Sequence, residues 1–114
     1  MPVIYKICSE ALWQEARQAG VFAGAPVDLQ DGFIHFSTAA QVAETAAKHF
    51  AGEGDLVLLT IDADLLGAAL KWEPSRGGDL FPHLYGELDL GAVIGVREMQ
   101  ARADGSHDIP ELAP

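Results

Sequence analysis

The run Leu-Val-Leu-Leu-Thr-Ile at residues 56–61 limits what this chain can fold into more than any other stretch. It has the length of one strand, and a strand with so little polar alternation is covered on both faces. A domain built around it therefore needs packing layers above and below the same sheet. The 114 residues are enough for one such layered domain with its own core, without disulfides or a structural metal as props, and not for two. The one cysteine, Cys8, permits neither an internal disulfide nor a cysteine-based zinc cage. Its place in an apolar run makes it a small core residue.

Around that strand the remaining elements follow from local signals. Residues Val3 to Cys8 are mostly β-branched, aromatic or otherwise apolar, and they meet Ser9, a good N-cap. This predicts a strand and then a helix from about Glu10 to Ala19, with Leu12, Trp13, Ala16 and Ala19 on its inward stripe and Gly20 as its stop. Residues 21–30 carry Gly24 and Pro26 without a clear period and read as a loop. Asp31-Gly32 is a turn signal before a short strand to Ser37. Thr38 and Gln41 then have capping-box spacing and open a helix from about Ala39 to Phe50, with Val42, Ala46, His49 and Phe50 turned inward.

Beyond the central strand, the sequence predicts a helical turn near Ala63 to Leu66 and a strand from Ala69 to Glu73, stopped by Pro74. Trp72 reads as core. Residues 75–79, with Arg76 and two glycines, read as a mobile loop. Phe81 to Leu88 and Ala92 to Met99 read as two strands lying side by side, antiparallel. Residues 101–114 read as a polar C-terminal tail on a single domain spanning 1–114. Strands outnumber helices and the two main helices come early, which predicts an α+β domain with a mixed or antiparallel sheet.

Charge narrows the partners. Seventeen acidic residues against seven basic ones give a formal charge of −10, which repels phosphate backbones and anionic bilayers. Nucleic acid and membrane are therefore not expected as partners. A small anion can still be held at short range by one arginine or by helix N-terminal amides. No 18 apolar residues run together, and a cytoplasmic location is the default expectation.

Two segments carry side chains with chemistry. In a strand through residues 33–37, alternation puts His35 on the side of Phe33 and Ser37. With Thr38 opening a helix, its amides would lie close to both side chains and could receive a phosphate or carboxylate. In the second segment His83 and Tyr85 share a face if the chain is extended, and Glu73 stands just before the Arg76 loop, where a carboxylate could orient an imidazole or accept from a ribose-like diol. The bland alternatives are a satisfied core histidine at His35 and a surface ion pair at Glu73. His35, His83 and Glu73 are metal-ligand types, but no close histidine pair or HExxH motif links them, and no metal is expected. Ser37 has no GxSxG elbow, and neither GxGxxG nor a Walker sequence is present.

IYKI (residues 4–7), DGFIHFST (31–38), LVLLTID (56–62), LKWEP (70–74) and FPHLYGELDLGAVIGV (81–96) together resemble the DUF952 family of bacterial proteins over nearly the whole chain. That family resembles the ADP-ribosyltransferase-like fold, in which a split sheet forms a cleft for NAD and three strands present signature residues. The resemblance implies a first signature position at Lys6, where histidine is common in the family, a second in the Gly32 to Thr38 strand, and weak counterparts of a third, carboxylate position at Glu73 or Glu87. The implied function is a nucleotide site for an NAD- or ADP-ribose-like ligand. Lys6, His35, Ser37, Thr38, Arg76 and Tyr85 would bind, and His83 and Glu73 would be available for proton transfer. The alternative is a non-catalytic structural or protein-interaction domain without turnover.

Overall fold

The computed structural model describes residues 2–75 and 77–112. β1 (Val3–Ser9) runs into α1 (Glu10–Ala19). The Ser9 hydroxyl accepts from the Leu12 amide at 3.1 Å, and Gly20 closes the helix at φ 82°, in the left-handed region that glycine enters without a Cβ clash. β4 (Leu56–Asp62) lies between β1 and β8 (Val93–Met99), antiparallel to both. Alternation along β4 then sorts the core into two layers. Val57, Leu59 and Ile61 meet Ile4, Cys8 and the α1 residues Trp13 and Ala16 on one face. Leu56 and Leu58 meet Tyr5, Ile7 and Met99, together with Val42 and Ala46 of α3 (Val42–His49), on the other. The double cover that the apolar run requires is thus supplied by one helix on each side of the sheet.

A second three-stranded antiparallel sheet has the order β3 (Ile34–His35), β6 (Asp79–Leu84), β5 (Leu70–Ser75). The two sheets meet where Tyr5 and Ser37 exchange backbone bonds, each 2.8 Å. β1 therefore holds β4 along one edge and the chain after β3 at a single point on the other. The result is a split sheet whose halves diverge from that point. A two-stranded ribbon of β2 (Val21–Phe22) and β7 (Leu88–Asp89) completes the strands. No helix among the described residues is long and apolar enough to cross a membrane.

Several expectations are corrected. Residues 21–30 are not a plain loop: they contain β2 and the short helix α2 (Pro26–Asp31), with proline in the first turn, where its missing N–H costs nothing, and Gly32 ending it at φ 85°. α3 starts at Val42, because residues 38–41 form a separate turn closed by the Gln41 amide on the Thr38 carbonyl at 3.0 Å. Pro74 does not stop β5, because β5 is an edge strand and can leave one side unpaired. Trp72, on that edge, is 46% exposed and not core.

Of the segment read as a mobile loop, Ser75 ends β5 and Asp79 begins β6, and the two are register partners. Arg76 lies outside the described residues. β8 pairs with β4 and not with the segment from Phe81 to Leu88, since both edges of β6 are taken by β3 and β5 and β7 pairs with β2. Residues 100–112 are polar in composition yet dock: His107 is buried with its Nε2 donating to the Glu53 carbonyl at 2.6 Å, and Ile109 and Leu112 pack on the α3 side of the core.

Candidate functional site

Lys6 sits in the middle of β1 on the α1 face of the sheet and is 6% exposed. A buried ammonium needs a counter-charge, and α2 brings one: Asp28, 2% exposed, approaches the Lys6 Nζ with its two oxygens at 2.9 and 3.1 Å. The same carboxylate accepts from the Ala25 amide at 2.8 Å and from the His35 amide at 3.1 Å, and it meets His35 Nδ1 at 2.7 Å. A carboxylate only accepts, so this ring nitrogen carries hydrogen. Asp31, one turn on, lies 2.9 Å from His35 Nε2.

Burial is the largest influence on the Asp28 carboxyl and by itself would raise its pKa. The bonds from His35 and Lys6 and the Lys6 charge, with the Ala25 amide, together outweigh it and hold the group at about 2. Burial likewise pulls the Lys6 ammonium down, against the opposing pull of Asp28. It also raises the neighbouring Cys8 thiol to about 11, leaving it an unreactive core group.

The depressed Asp28 value fixes the sign of an acid effect. Its stabilisation, about 2 kcal/mol on linkage arithmetic, is fully present above the unfolded carboxylate pKa near 4 and is lost as pH falls through about 2. Urea midpoints measured across that window should fall in the parent protein. In Asp28→Asn this component of the fall should be missing.

The second cluster stands on β3, β6 and β5. His35 and His83 are register partners, and Glu73 is opposite Phe81, which places Glu73 diagonal to His83 on the same face of the hairpin. One Glu73 oxygen, Oε1, accepts from His83 Nδ1 at 2.8 Å and from the Tyr85 hydroxyl at 2.7 Å. The Tyr85 bond, then the His83 bond, hold the Glu73 carboxyl below its ordinary range, and the bond to Glu73 raises the Tyr85 phenol. With Nδ1–H given to the carboxylate, Nε2 of the neutral ring is left as an acceptor. The Phe33 ring packs against His35, His83 and Tyr85 at centroid distances of 4.6, 4.2 and 5.2 Å, and the two imidazoles stand edge to face at 5.4 Å.

Lys6, His35, Ser37 and His83 all line one cleft of about 530 Å³ running from β1 across to β6, with α2 on one side and α3 on the other. The expected residues thus divide. His35, His83, Glu73 and Tyr85 come together. Lys6 reaches them only through Asp28, and Ser37 is at the cleft with its hydroxyl 2.9 Å from that of Thr45. The Thr38 amide is not offered to a ligand, because Gln41 Oε1 accepts from it at 3.0 Å, while Gln41 Nε2 donates to the Leu80 carbonyl at 2.9 Å. Asp28, Asp31 and Phe33 escaped the sequence reading as site residues. The signal that could have found the aspartates is Pro26 with Asp28 two positions on, a helix start, and Asp31 at the end of that helix, four residues before His35. Among the described residues no three His, Cys, Asp or Glu side chains converge as metal ligands.

The model of the family described as a protein of unknown function, DUF952, matches residues 7–96. The crystal structure of protein CC0527 from Caulobacter crescentus is 50% identical, with 93% of each chain covered and a TM-score of 0.90. A double mutant of that protein, also solved by crystallography, gives 48% identity, 93% coverage of each chain and the same TM-score of 0.90. Its solution NMR structure gives 51% identity over 93% of this chain and 91% of that one, with a TM-score of 0.82. No curated protein matches the chain.

Proposed function

The chain belongs to the DUF952 family, and we propose that it binds a small nucleotide-type ligand, of the NAD or ADP-ribose kind, in the cleft between its two sheets. One observation carries this reading. Two imidazoles, each oriented by a carboxylate and both packed on Phe33, stand together at the wall of a cleft large enough for a ligand of that size. The cleft is also lined by the aromatic side chains Tyr5, Phe36 and Phe81, which suit a planar base or ring, and the two imidazoles suit the hydroxyls of a ribose. The split sheet supports the likeness to the ADP-ribosyltransferase-like fold, in which the ligand lies at the split. Lys6 takes a different part from the one that likeness implies. With Asp28 across both of its contacts, it holds α2 against the cleft and does not grip phosphate directly. The charge of −10 favours a small ligand over a polynucleotide or an anionic bilayer.

A thermal-shift titration with NAD, ADP-ribose and AMP tests the reading. A ligand at a hundred times its dissociation constant adds about 2.7 kcal/mol to stability. The expected result is a shift with at least one of them that disappears in His35→Ala. No shift with any of the three would remove the nucleotide reading.

A second reading has its own support, since Lys6, Asp28, His35, Asp31, Glu73 and Tyr85 already satisfy one another. On that view the cluster is structural, in a non-catalytic interaction domain. His35→Ala or His83→Ala then costs about 1–3 kcal/mol through orphaned partners and alters no ligand response.

A further inference from the structure

The bonds between Tyr5 and Ser37 fix which way the backbone of β1 faces. The Tyr5 amide donates to the Ser37 carbonyl and the Tyr5 carbonyl accepts from the Ser37 amide, so both groups point away from β4. Alternation along an antiparallel strand then turns the backbone groups of Ile7 and Ser9 to the same outer edge. Two residues further along each strand, the Tyr5–Ser37 pairing would join Ile7 to His35. It does not continue, because the His35 amide donates instead to Asp28 Oδ1 at 3.1 Å. The Asp28 carboxylate, anchored by Lys6, stands where the ladder would otherwise run on.

The outer edge of β1 is left with ladder groups to offer. Among the described residues no hydrogen bond is made by the Ile7 amide, the Ile7 carbonyl or the Ser9 amide. Ile7 is only 5% exposed, and buried main-chain groups in folded proteins are almost always paired. Both residues line the cleft, together with Cys8 from the α1 face of β1 and Tyr5 from the α3 face. A cavity reached from both faces of a strand lies along its edge, which is where a further strand adds.

From this geometry we propose that the cleft receives an extended peptide, added as a strand to the outer edge of β1. The proposal goes beyond the nucleotide reading and does not rest on it, for His35 and His83 stand on the other wall, on β3 and β6. Ile7 presents a donor and an acceptor side by side to one peptide residue, and the Ser9 amide presents a donor one ladder step on, about 7 Å away. An extended chain spans both steps, whereas a single planar amide meets one. Leu12 lines the cleft on the α1 side of the sheet, and Phe50 and Leu56 line it on the α3 side. The peptide therefore carries apolar residues on both of its faces. With a protein charge of −10, and Asp31 and Glu53 lining the same cleft, it carries basic residues at its ends.

The test titrates a pool of acetylated and amidated pentapeptides into the isotope-labelled intact protein, to about 1 mM, a concentration that detects weak complexes. The peptides have lysine at both ends and Val, Ile, Leu, Phe or Tyr at the three central positions. The expected result is a saturable shift of the Ile7 and Ser9 amide resonances, with exchange of the Ile7 amide slowed about 10-fold or more, the effect of one added hydrogen bond. The same pool N-methylated at its three central residues keeps the side chains and loses the donors, and it should bind at least about 10-fold more weakly. No shift at these two amides, or shifts confined to other residues, would overturn the proposal. Undiminished binding of the N-methylated pool would overturn it as well, because side chains alone would then hold the peptide. Every measurement uses the native sequence, so none depends on a variant that must fold.

Discussion

Alanine in place of Asp28 is expected to destabilise the protein by about 3–5 kcal/mol, the range for removing one partner of a buried ion pair. The substitution deletes more than a charge. It strands Lys6, which is 6% exposed, and takes the acceptor from the Ala25 and His35 amides as well. The loss should begin locally. Val27 and Leu29 of α2 are 52% and 67% exposed, so Asp28 is the residue through which this short helix is buried. Amide exchange at Leu29 and Gly32, which bond to the Ala25 and Asp28 carbonyls, should therefore quicken before the global transition moves.

The double variant Lys6→Met/Asp28→Leu, which removes both charges and restores volume, should recover most of the loss. Urea unfolding of the three proteins measures this directly. A cost under about 1 kcal/mol for Asp28→Ala would show that water reaches Lys6 and that the pair does not pin α2.

The elements legible in the sequence are those whose signals are local. β1 and α1 are bracketed by Ser9 and Gly20, and the structure keeps both caps. β4 declares itself by burial on both faces, a property that survives whichever strands turn out to be its neighbours. α2 fails the same test because six residues make under two turns, too few for a period to emerge, and because tertiary contacts through Asp28 hold it. The partner of β8 is also beyond local reading. Sequence neighbours usually pair, but here β7 pairs with β2, β6 is filled on both sides, and β4 has a vacant edge.

The site divides along the same line. Alternation correctly groups His83 with Tyr85, and the hairpin register brings Glu73 diagonally to them. Nothing local announces that Lys6 points at an aspartate 22 residues away in a segment that reads as loop. Nor does capping-box spacing reveal that the Gln41 side chain consumes the Thr38 amide while α3 itself starts later. Strand periodicity yields which residues share a face. The identity of the group opposite that face depends on how the sheets meet, and that is decided by the single exchange of bonds between Tyr5 and Ser37.

Leu59→Ala is expected to cost about 2–5 kcal/mol, the range for emptying a fully buried leucine site. Leu59 has no exposed surface, lies in mid-β4 and packs in the layer with Trp13, Ile4 and Ile61. Its neighbours are held by two flanking strands and α1, so they cannot collapse into the space. Val96 is its register partner on β8, yet it is 43% exposed on an edge strand, and Val96→Ala should cost less than about 1 kcal/mol. The comparison separates two accounts of the central run. If double cover is what stabilises the fold, the two variants differ several-fold in urea unfolding although they are register partners on adjacent strands. Similar losses would instead mean that β-propensity and strand pairing, common to both positions, dominate over the packing of α1 against the sheet.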